Sequence, residues 1–140
     1  MEERGKTFMW PIHVRSLEGG EGETVEVLVG TRASHTVLPS KMLKRLGIVP
    51  GGKKRFELED GSIVEYEIGH ARIQIEGREL PRIVVFGDDD VTPRMGVTTL
   101  DGASLVVASD GPRLIHKMPR VSGGVRLVDD AAERGKVPGR

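Results

Sequence analysis

Residues 28–40, LVGTRASHTVLPS, hold the side chains with the clearest chemical potential in this sequence. One short loop contains two hydroxyls, a guanidinium and an imidazole, which belong to Thr31, Ser34, Arg32 and His35. A serine beside a histidine suggests a nucleophile and its general base. Neighbouring residues of an extended chain point to opposite faces, however, so we expect no hydrogen bond between Ser34 and His35. The sequence therefore predicts a polar loop exit here, not a nucleophilic site.

The other candidate acids fall in predicted turns. Asp60 belongs to an Asp60–Gly61 pair that suits a tight hairpin turn, and the run Asp88–Asp90 follows an apolar stretch. Turn-forming, solvated carboxylates are the ordinary role of such residues. No ligand spacing of the EF-hand kind accompanies the run, and the four histidines form no i, i+2 or i, i+4 pair. We therefore predict no metal ion and no other cofactor. The histidines are His13, His35, His70 and His116.

Composition excludes several classes of function. The 140 residues carry 21 basic and 21 acidic side chains, so no net field draws the chain to nucleic acid or to a membrane surface. There is no cysteine, which excludes disulfides, thiolate metal sites and cysteine nucleophiles. The longest apolar stretches are far shorter than a membrane span. We expect a cytoplasmic protein.

The elements that must position these residues are mostly strands. Most segments alternate with period two between closely spaced glycine turns, which predicts a small antiparallel sheet or barrel. One hairpin is predicted from alternating apolar residues on either side of a loop at 18–23, with Trp10 in the core. A second surrounds Asp60–Gly61. The continuous apolar run 83–86 is typical of a strand buried on both faces.

Two short helices and the domain limits complete the prediction. Ser40 is expected to cap a helix over 41–47 that ends at Gly47. A second helix is expected near 97–102, with Thr98 and Thr99 as capping residues. Residues 8–118 are predicted to form one domain. Residues 1–7 are predicted to be flexible and 119–140 to be a disordered tail, because they contain few apolar residues.

Several separated motifs resemble the retropepsin-like (clan AA) aspartic proteases, most closely the small, single-domain bacterial and archaeal members. Residues 27–39 are similar to the family's active-site segment, in which Asp-Thr/Ser-Gly-Ala follows two apolar residues and precedes Thr-Val-Leu. Four further motifs follow in family order over roughly residues 8–116. They are the helix end Leu46-Gly47-Ile48, a flap-like hairpin at Phe56 to Tyr66 with the tip Glu59-Asp60-Gly61-Ser62, the run Ile83 to Phe86, and the cleft-adjacent Arg94-Met95-Gly96.

The resemblance implies a mainly β, small closed barrel-like fold with one or two short helices. It also implies a dimer in which each subunit contributes one Asp-Thr-Gly loop to a shared active site. Two carboxylates so close together cannot both ionise, so one holds a proton while the other activates water. The threonine braces the two loops, and the glycine permits close approach of the substrate.

The sequence departs from the family where the chemistry would be. Gly30 stands at the aspartate position and Arg32 at the glycine position, whereas Thr31 and Ala33 match the pattern. Glycine supplies neither acid nor base, so we expect no aspartic-type hydrolysis by a homodimer. Arg94 also occupies a position that is usually apolar in the family. Each of the changes at positions 30 and 32 needs one base change, so an inactivated copy or a sequence artefact fits as well.

Three functions are compatible with this pattern. The first is a catalytically degenerate homologue that acts as a binding or assembly module, as a homodimer or as a heterodimer with an active paralogue, with a peptide or protein segment in its cleft. The second is an aspartic endopeptidase with residual activity, for which Asp60 or the acids at 88–90 are the candidates. The third is an unrelated β-barrel ligand-binding module.

Arg32 and Arg94 suggest a further possibility. If both side chains project into the former catalytic cleft, a twofold dimer gathers four guanidinium groups there and requires an anion such as a carboxylate or phosphate. The alternative is that each arginine turns to solvent or pairs with the acids at 88–90.

Overall fold

The computed structural model describes residues 7–118, so the predictions for residues 1–6 and for the tail at 119–140 lie outside the described residues. The described part is mainly β with two short helices, which confirms the predicted class. The elements are β1 (Phe8–Ser16), β2 (Gly19–Val29), β3 (Thr36–Pro39), α1 (Ser40–Arg45), β4 (Gly52–Glu57), β5 (Ile63–Ile75), β6 (Arg78–Gly87), α2 (Val97–Gly102), β7 (Leu105–Val107) and β8 (Leu114–His116). No helix in this part is long and apolar enough to cross a membrane.

A six-stranded sheet has the order β2-β1-β5-β6-β3, with β4 also paired to β5. The long strand β5 pairs through 63–68 with β4 and through 71–74 with β1. Strand β6 covers the other side of β5, and β3 runs parallel to β6. Consequently only the first half of β5 belongs to the hairpin β4–β5.

The sheet does not close into the barrel implied by the resemblance. Its edge strands β2 and β3 are joined in the described residues only by isolated bridges to Arg94, one from Leu28 and one from Val37. Single bridges leave the edges without a continuous ladder. Strands β7 and β8 form a separate two-stranded sheet.

The continuous apolar run in β6 is part of the core, as predicted. Val84, Val85 and Phe86 are each at most 4% exposed, which confirms a strand buried on both faces. Trp10 is partly buried against the core cluster. Its indole Nε1–H donates to Glu76 Oε2 at 3.0 Å, so the polar end of the ring is satisfied while its body packs.

Two local predictions were wrong. Residues 19–23 belong to strand β2 and not to a loop; a Cβ at Gly22 would lie 2.5 Å from Val14 O, so the close strand requires glycine there. Ser40 is the first residue of α1, and Pro39 occupies the N-cap without a side-chain cap. The Lys41 backbone N–H instead donates to Asp89 Oδ1 at 3.0 Å, so a carboxylate distant in sequence supplies the missing acceptor.

Candidate functional site

Residues 30–35 connect β2 to β3 and form the loop in which the sequence placed its chemistry. Gly30 is exposed and has φ +97°, a conformation that L side chains rarely adopt. In the described residues, positive φ at a non-glycine residue occurs only at Glu76 and Ser104. Arg32 therefore has an ordinary backbone conformation. The position in this loop that needs glycine is therefore 30 and not 32.

Both arms of the loop are clamped by the segment 93–95. Leu28 N–H donates to Pro93 O at 2.8 Å and Leu28 O accepts from Met95 N–H at 2.9 Å. On the other arm, Val37 and Arg94 exchange two backbone hydrogen bonds of 2.9 and 3.0 Å. Four backbone hydrogen bonds therefore fix the start and the end of the loop relative to Arg94.

The first turn of helix α2 is hydrogen-bonded to the loop. Ala33 O accepts from Val97 N–H at 2.9 Å, and Ser34 O accepts from Thr98 N–H at 3.1 Å. The Thr98 hydroxyl also donates to Ser34 O at 2.9 Å. Neither Thr98 nor Thr99 caps the helix, since the N-cap is Gly96 without a side-chain hydrogen bond. The first turn of α2 thus donates hydrogen bonds to carbonyl groups of the loop, and no side chain of that turn caps the helix.

A buried polar pair that sequence reasoning missed lies between the loop and α2. The hydroxyls of Thr36 and Thr99 are 2.8 Å apart, and both residues are 0% exposed. Thr36 Oγ1 also accepts from Gly96 N–H at 3.0 Å and lies 3.7 Å from Met95 Sδ. One signal was available: Thr36 alternates with the buried Leu38 and so points to the core.

A cavity of about 300 Å³ lies between this loop and the hairpin β4–β5. It brings together the predicted residues Thr31, Arg32, Ala33, Glu59 and Arg94. It is lined by Thr31, Arg32, Ala33, Ser34, His35, Val37, Phe56, Glu57, Leu58, Glu59, Tyr66, Val85 and Arg94.

The remaining predicted site residues do not line this cavity. Gly30 is at the start of the loop, and Asp60, Gly61 and Ser62 are at the hairpin tip. Met95 is buried in the core, and Gly96 packs directly under the loop, where a Cβ would lie 2.2 Å from the His35 carbonyl carbon. The lining residues Phe56, Glu57 and Tyr66 belong to the predicted flap-like hairpin, although none of them was singled out as a site residue.

Ser34 Oγ and His35 Nδ1 are 2.8 Å apart, so the expectation that these neighbours cannot meet was wrong. It assumed an extended chain, whereas residues 34 and 35 lie in a bend. The imidazole packs edge-on against Phe56, with ring centroids 5.4 Å apart. No acidic side chain in residues 7–118 hydrogen-bonds to this ring, so the third member of a catalytic triad is absent from the described part.

Burial, and then the charge of Lys54, lowers the pKa of His35 below its usual value. Lys54→Gln is expected to raise this pKa part of the way back, because burial of the ring remains. The folded protein binds fewer protons than the unfolded chain near pH 6.5, so this residue lowers stability as pH falls through that value and below. NMR titration of the His35 ring measures the shift, with Lys53→Gln as the neighbouring control; equal pKa values in both variants would contradict the assignment.

The acids proposed for residual catalysis lie elsewhere. Asp60 Oδ1 accepts from the backbone N–H and the hydroxyl of Ser62, at 2.9 and 2.6 Å. These hydrogen bonds lower the pKa of the fully exposed Asp60 carboxyl, which favours the ionised form of a turn residue. Asp89 accepts from Lys41 N–H at the start of α1. None of Asp60 and the acids at 88–90 lines the cavity, and no three potential metal ligands cluster within residues 7–118.

Arg32 and Arg94 are exposed and line the cavity together. The ion pairs of the described residues are elsewhere, so neither arginine pairs with the acids at 88–90 in this part of the chain. Those pairs are Arg15–Glu79, Arg45–Glu23 and Arg113–Asp110.

Thr31 accepts within its own loop, from Ala33 N–H to Oγ1 at 3.2 Å. A hydroxyl is both a donor and an acceptor. This contact uses only one acceptor position and leaves the hydroxyl proton for another partner.

Comparison with known proteins finds similarity among solved structures. No protein-family model matches the sequence, and no curated protein matches it. Among solved structures, the chain is similar to the EIAV protease complexed with the inhibitor HBY-793, at 19% identity and a TM-score of 0.48 over 68% of this chain and 86% of that chain. At this identity the similarity says nothing about activity.

Proposed function

We propose that this protein is a noncatalytic binding module built on the plan of a retropepsin-like aspartic protease. The observation that carries the proposal is the backbone at Gly30, the position of the family's aspartate: it has φ +97° and no side chain. The loop around it is held in place, because the segment 93–95 and helix α2 form backbone hydrogen bonds with Leu28, Val37, Ala33 and Ser34. A maintained cleft without its acid favours binding over hydrolysis.

The acids near the cleft do not replace the missing dyad. Glu57 and Glu59 line the cavity, but both are exposed and belong to the hairpin, not to the loop. An aspartic dyad needs two carboxyl groups close enough to share a proton. Solvated glutamates on one side of the cleft do not provide that arrangement, and Asp60 has a lowered pKa instead of the raised one that a general acid needs.

The sequence resemblance further supports a dimer as the binding form, either a homodimer or a heterodimer with a related chain that keeps the acid. In a twofold dimer the Thr31 hydroxyl proton is the group available to bridge the two loops. Sedimentation velocity of the full chain tests this part of the proposal, and a strictly monomeric protein at high concentration would contradict it.

A cleavage assay tests the absence of catalysis. The full chain is incubated with a reduced, unfolded polypeptide between pH 3 and pH 7, with and without a statine-type inhibitor, and products are followed by mass spectrometry. No inhibitor-sensitive cleavage is expected. Cleavage that the inhibitor suppresses would overturn the proposal in favour of a residual endopeptidase.

Restoring the acid is expected to have a conformational cost. Gly30→Asp places a side chain at φ +97°, so we expect the free energy of unfolding to fall by about 1–2 kcal/mol. Gly30→Asn, which has the same shape without the charge, should lose a similar amount. Urea unfolding measures both values, and a Gly30→Asp variant as stable as the parent would show that the loop readily accepts the family's residue.

A further inference from the structure

Two arginines from distant parts of the chain share the cavity under the hairpin. Arg32 comes from the β2–β3 loop, and the Arg94 backbone is fixed to Val37 by two hydrogen bonds. Guanidinium groups bind carboxylates in a planar, bidentate manner. An anion that binds both guanidinium groups relieves the repulsion between these two like charges. The pair of arginines therefore favours a ligand with an anionic group.

Apolar and aromatic side chains line the cavity together with the arginines. They come from the loop exit, the hairpin and strand β6, and they are Val37, Phe56, Leu58, Tyr66 and Val85. A ligand that fills the cavity therefore needs an apolar group beside its anionic one.

Two glutamates at the hairpin do not neutralise the arginines. Glu57 and Glu59 also line the cavity, and both are exposed to solvent, which screens their charges. Neither glutamate is within ion-pair distance of Arg32 or Arg94 among the described contacts. The guanidinium groups of Arg32 and Arg94 are therefore not occupied by an ion pair among residues 7–118 and can bind a carboxylate from a ligand.

The free edge of β4 favours a peptide over a small anion. Strand β4 pairs with β5 on one side, and no other described strand pairs with it. An open edge presents unpaired backbone groups on which an extended segment can align. A volume of about 300 Å³ is at the low end for ligand pockets, so it suits one or two side chains of such a segment.

We propose that the cleft selects an extended peptide segment with an acidic residue next to an apolar one. Arg32 and Arg94 hold the carboxylate, and the apolar side chain packs against Phe56 and Tyr66. This inference rests on the proposed noncatalytic function, and it adds a selectivity for acidic segments that follows from the two arginines alone.

Peptide titrations of the isotopically labelled full chain, followed by NMR, test the selectivity. The probes are acetyl-Gly-Leu-Asp-Leu-Gly-amide and the same peptide with Asn in place of Asp. We expect saturable shifts of the amides at 31–35 and 94 with the Asp peptide and at least about tenfold weaker binding of the Asn peptide, since a charged hydrogen-bonded pair contributes about 1.5–3 kcal/mol.

Arginine variants assign the effect to the cavity. Arg32→Gln and Arg94→Gln should each weaken binding of the Asp peptide about tenfold or more while leaving the Asn peptide unchanged. Arg55→Gln is the matched control, because Arg55 lies on the same hairpin but does not line the cavity. Loss of the same size in this control would show a general charge effect and overturn the inference.

The remaining outcomes separate this inference from the proposed function. Equal binding of the two peptides, or binding of neither, overturns the acidic selectivity and leaves the noncatalytic function intact. Saturable acetate binding that depends on Arg32 and Arg94, without a preference for the Asp peptide, shows a site for free anions and also overturns it. Cleavage of either peptide, read by mass spectrometry in the same samples, overturns the proposed function instead.

Discussion

Gly96→Ala is expected to destabilise the protein by about 3 kcal/mol or more, the upper part of the range for an overpacked core. Glycine is not needed here for backbone freedom, since φ is −86° and ψ is 150°, values open to any residue. The requirement is one of space: an added Cβ would lie 2.2 Å from the His35 carbonyl carbon and 2.4 Å from Thr36 N. Both contacts are to backbone, so no side-chain rotation relieves them.

Urea unfolding followed by Trp10 fluorescence measures the loss, with an unchanged slope expected if only stability is altered. For a domain of this size, the thermal midpoint should fall by roughly 4–8 °C for each kcal/mol. Gly51→Ala is the matched control, because nothing lies within 4 Å of its Cβ position, and its stability should stay within about 0.5 kcal/mol of the parent. A Gly96→Ala variant as stable as this control would show that the loop and α2 separate easily.

The strands and the helices followed from the sequence because each depends on local pattern. Alternation in β1 and β2 and the continuous apolar run of β6 report burial directly. Predicted caps were wrong at Ser40, Thr98 and Thr99. Partners distant in sequence take the place of these caps. Asp89 Oδ1 accepts from Lys41 N–H at the start of α1, and the Thr98 hydroxyl donates to Ser34 O instead of to its own helix. A single sequence contains no signal for such contacts.

Part of the candidate site could likewise be predicted from the sequence, and part could not. The loop at 30–33 and Arg94 were found because motif spacing marks them, and the structure does bring Arg32 and Arg94 to one cavity. The bend that joins Ser34 to His35 was missed because the alternation rule assumes an extended chain. The hairpin that carries Phe56 was predicted from its Asp60–Gly61 turn, but the packing of Phe56 against His35 joins two separate elements, and sequence periodicity does not determine such a contact.

Thr36→Val is expected to cost about 2–3 kcal/mol, the upper half of the range for leaving buried polar groups without partners. The substitution keeps the shape but removes the acceptor of Gly96 N–H and the hydrogen-bond partner of the Thr99 hydroxyl. Thr99→Val should cost less, because the Thr36 hydroxyl still accepts from Gly96 N–H and can donate to Met95 Sδ, 3.7 Å away. The order of the two losses therefore tests whether Thr36 is the more connected of the two hydroxyls, as its contacts with Gly96 N–H and Met95 Sδ indicate.

A double-mutant cycle by urea unfolding completes this test. The double variant should lose less than the sum of the single losses, since one hydrogen bond is removed in both, with a coupling of at least about 0.5 kcal/mol. Thr24→Val is the control, because this threonine is exposed and its hydroxyl contacts only His13 Nδ1 among the described residues. Faster hydrogen exchange of the Gly96 amide in Thr36→Val, but not in Thr99→Val, would localise the damage to the support of the loop. Equal and additive losses would mean that the two hydroxyls act separately and that the loop is held by its backbone hydrogen bonds alone.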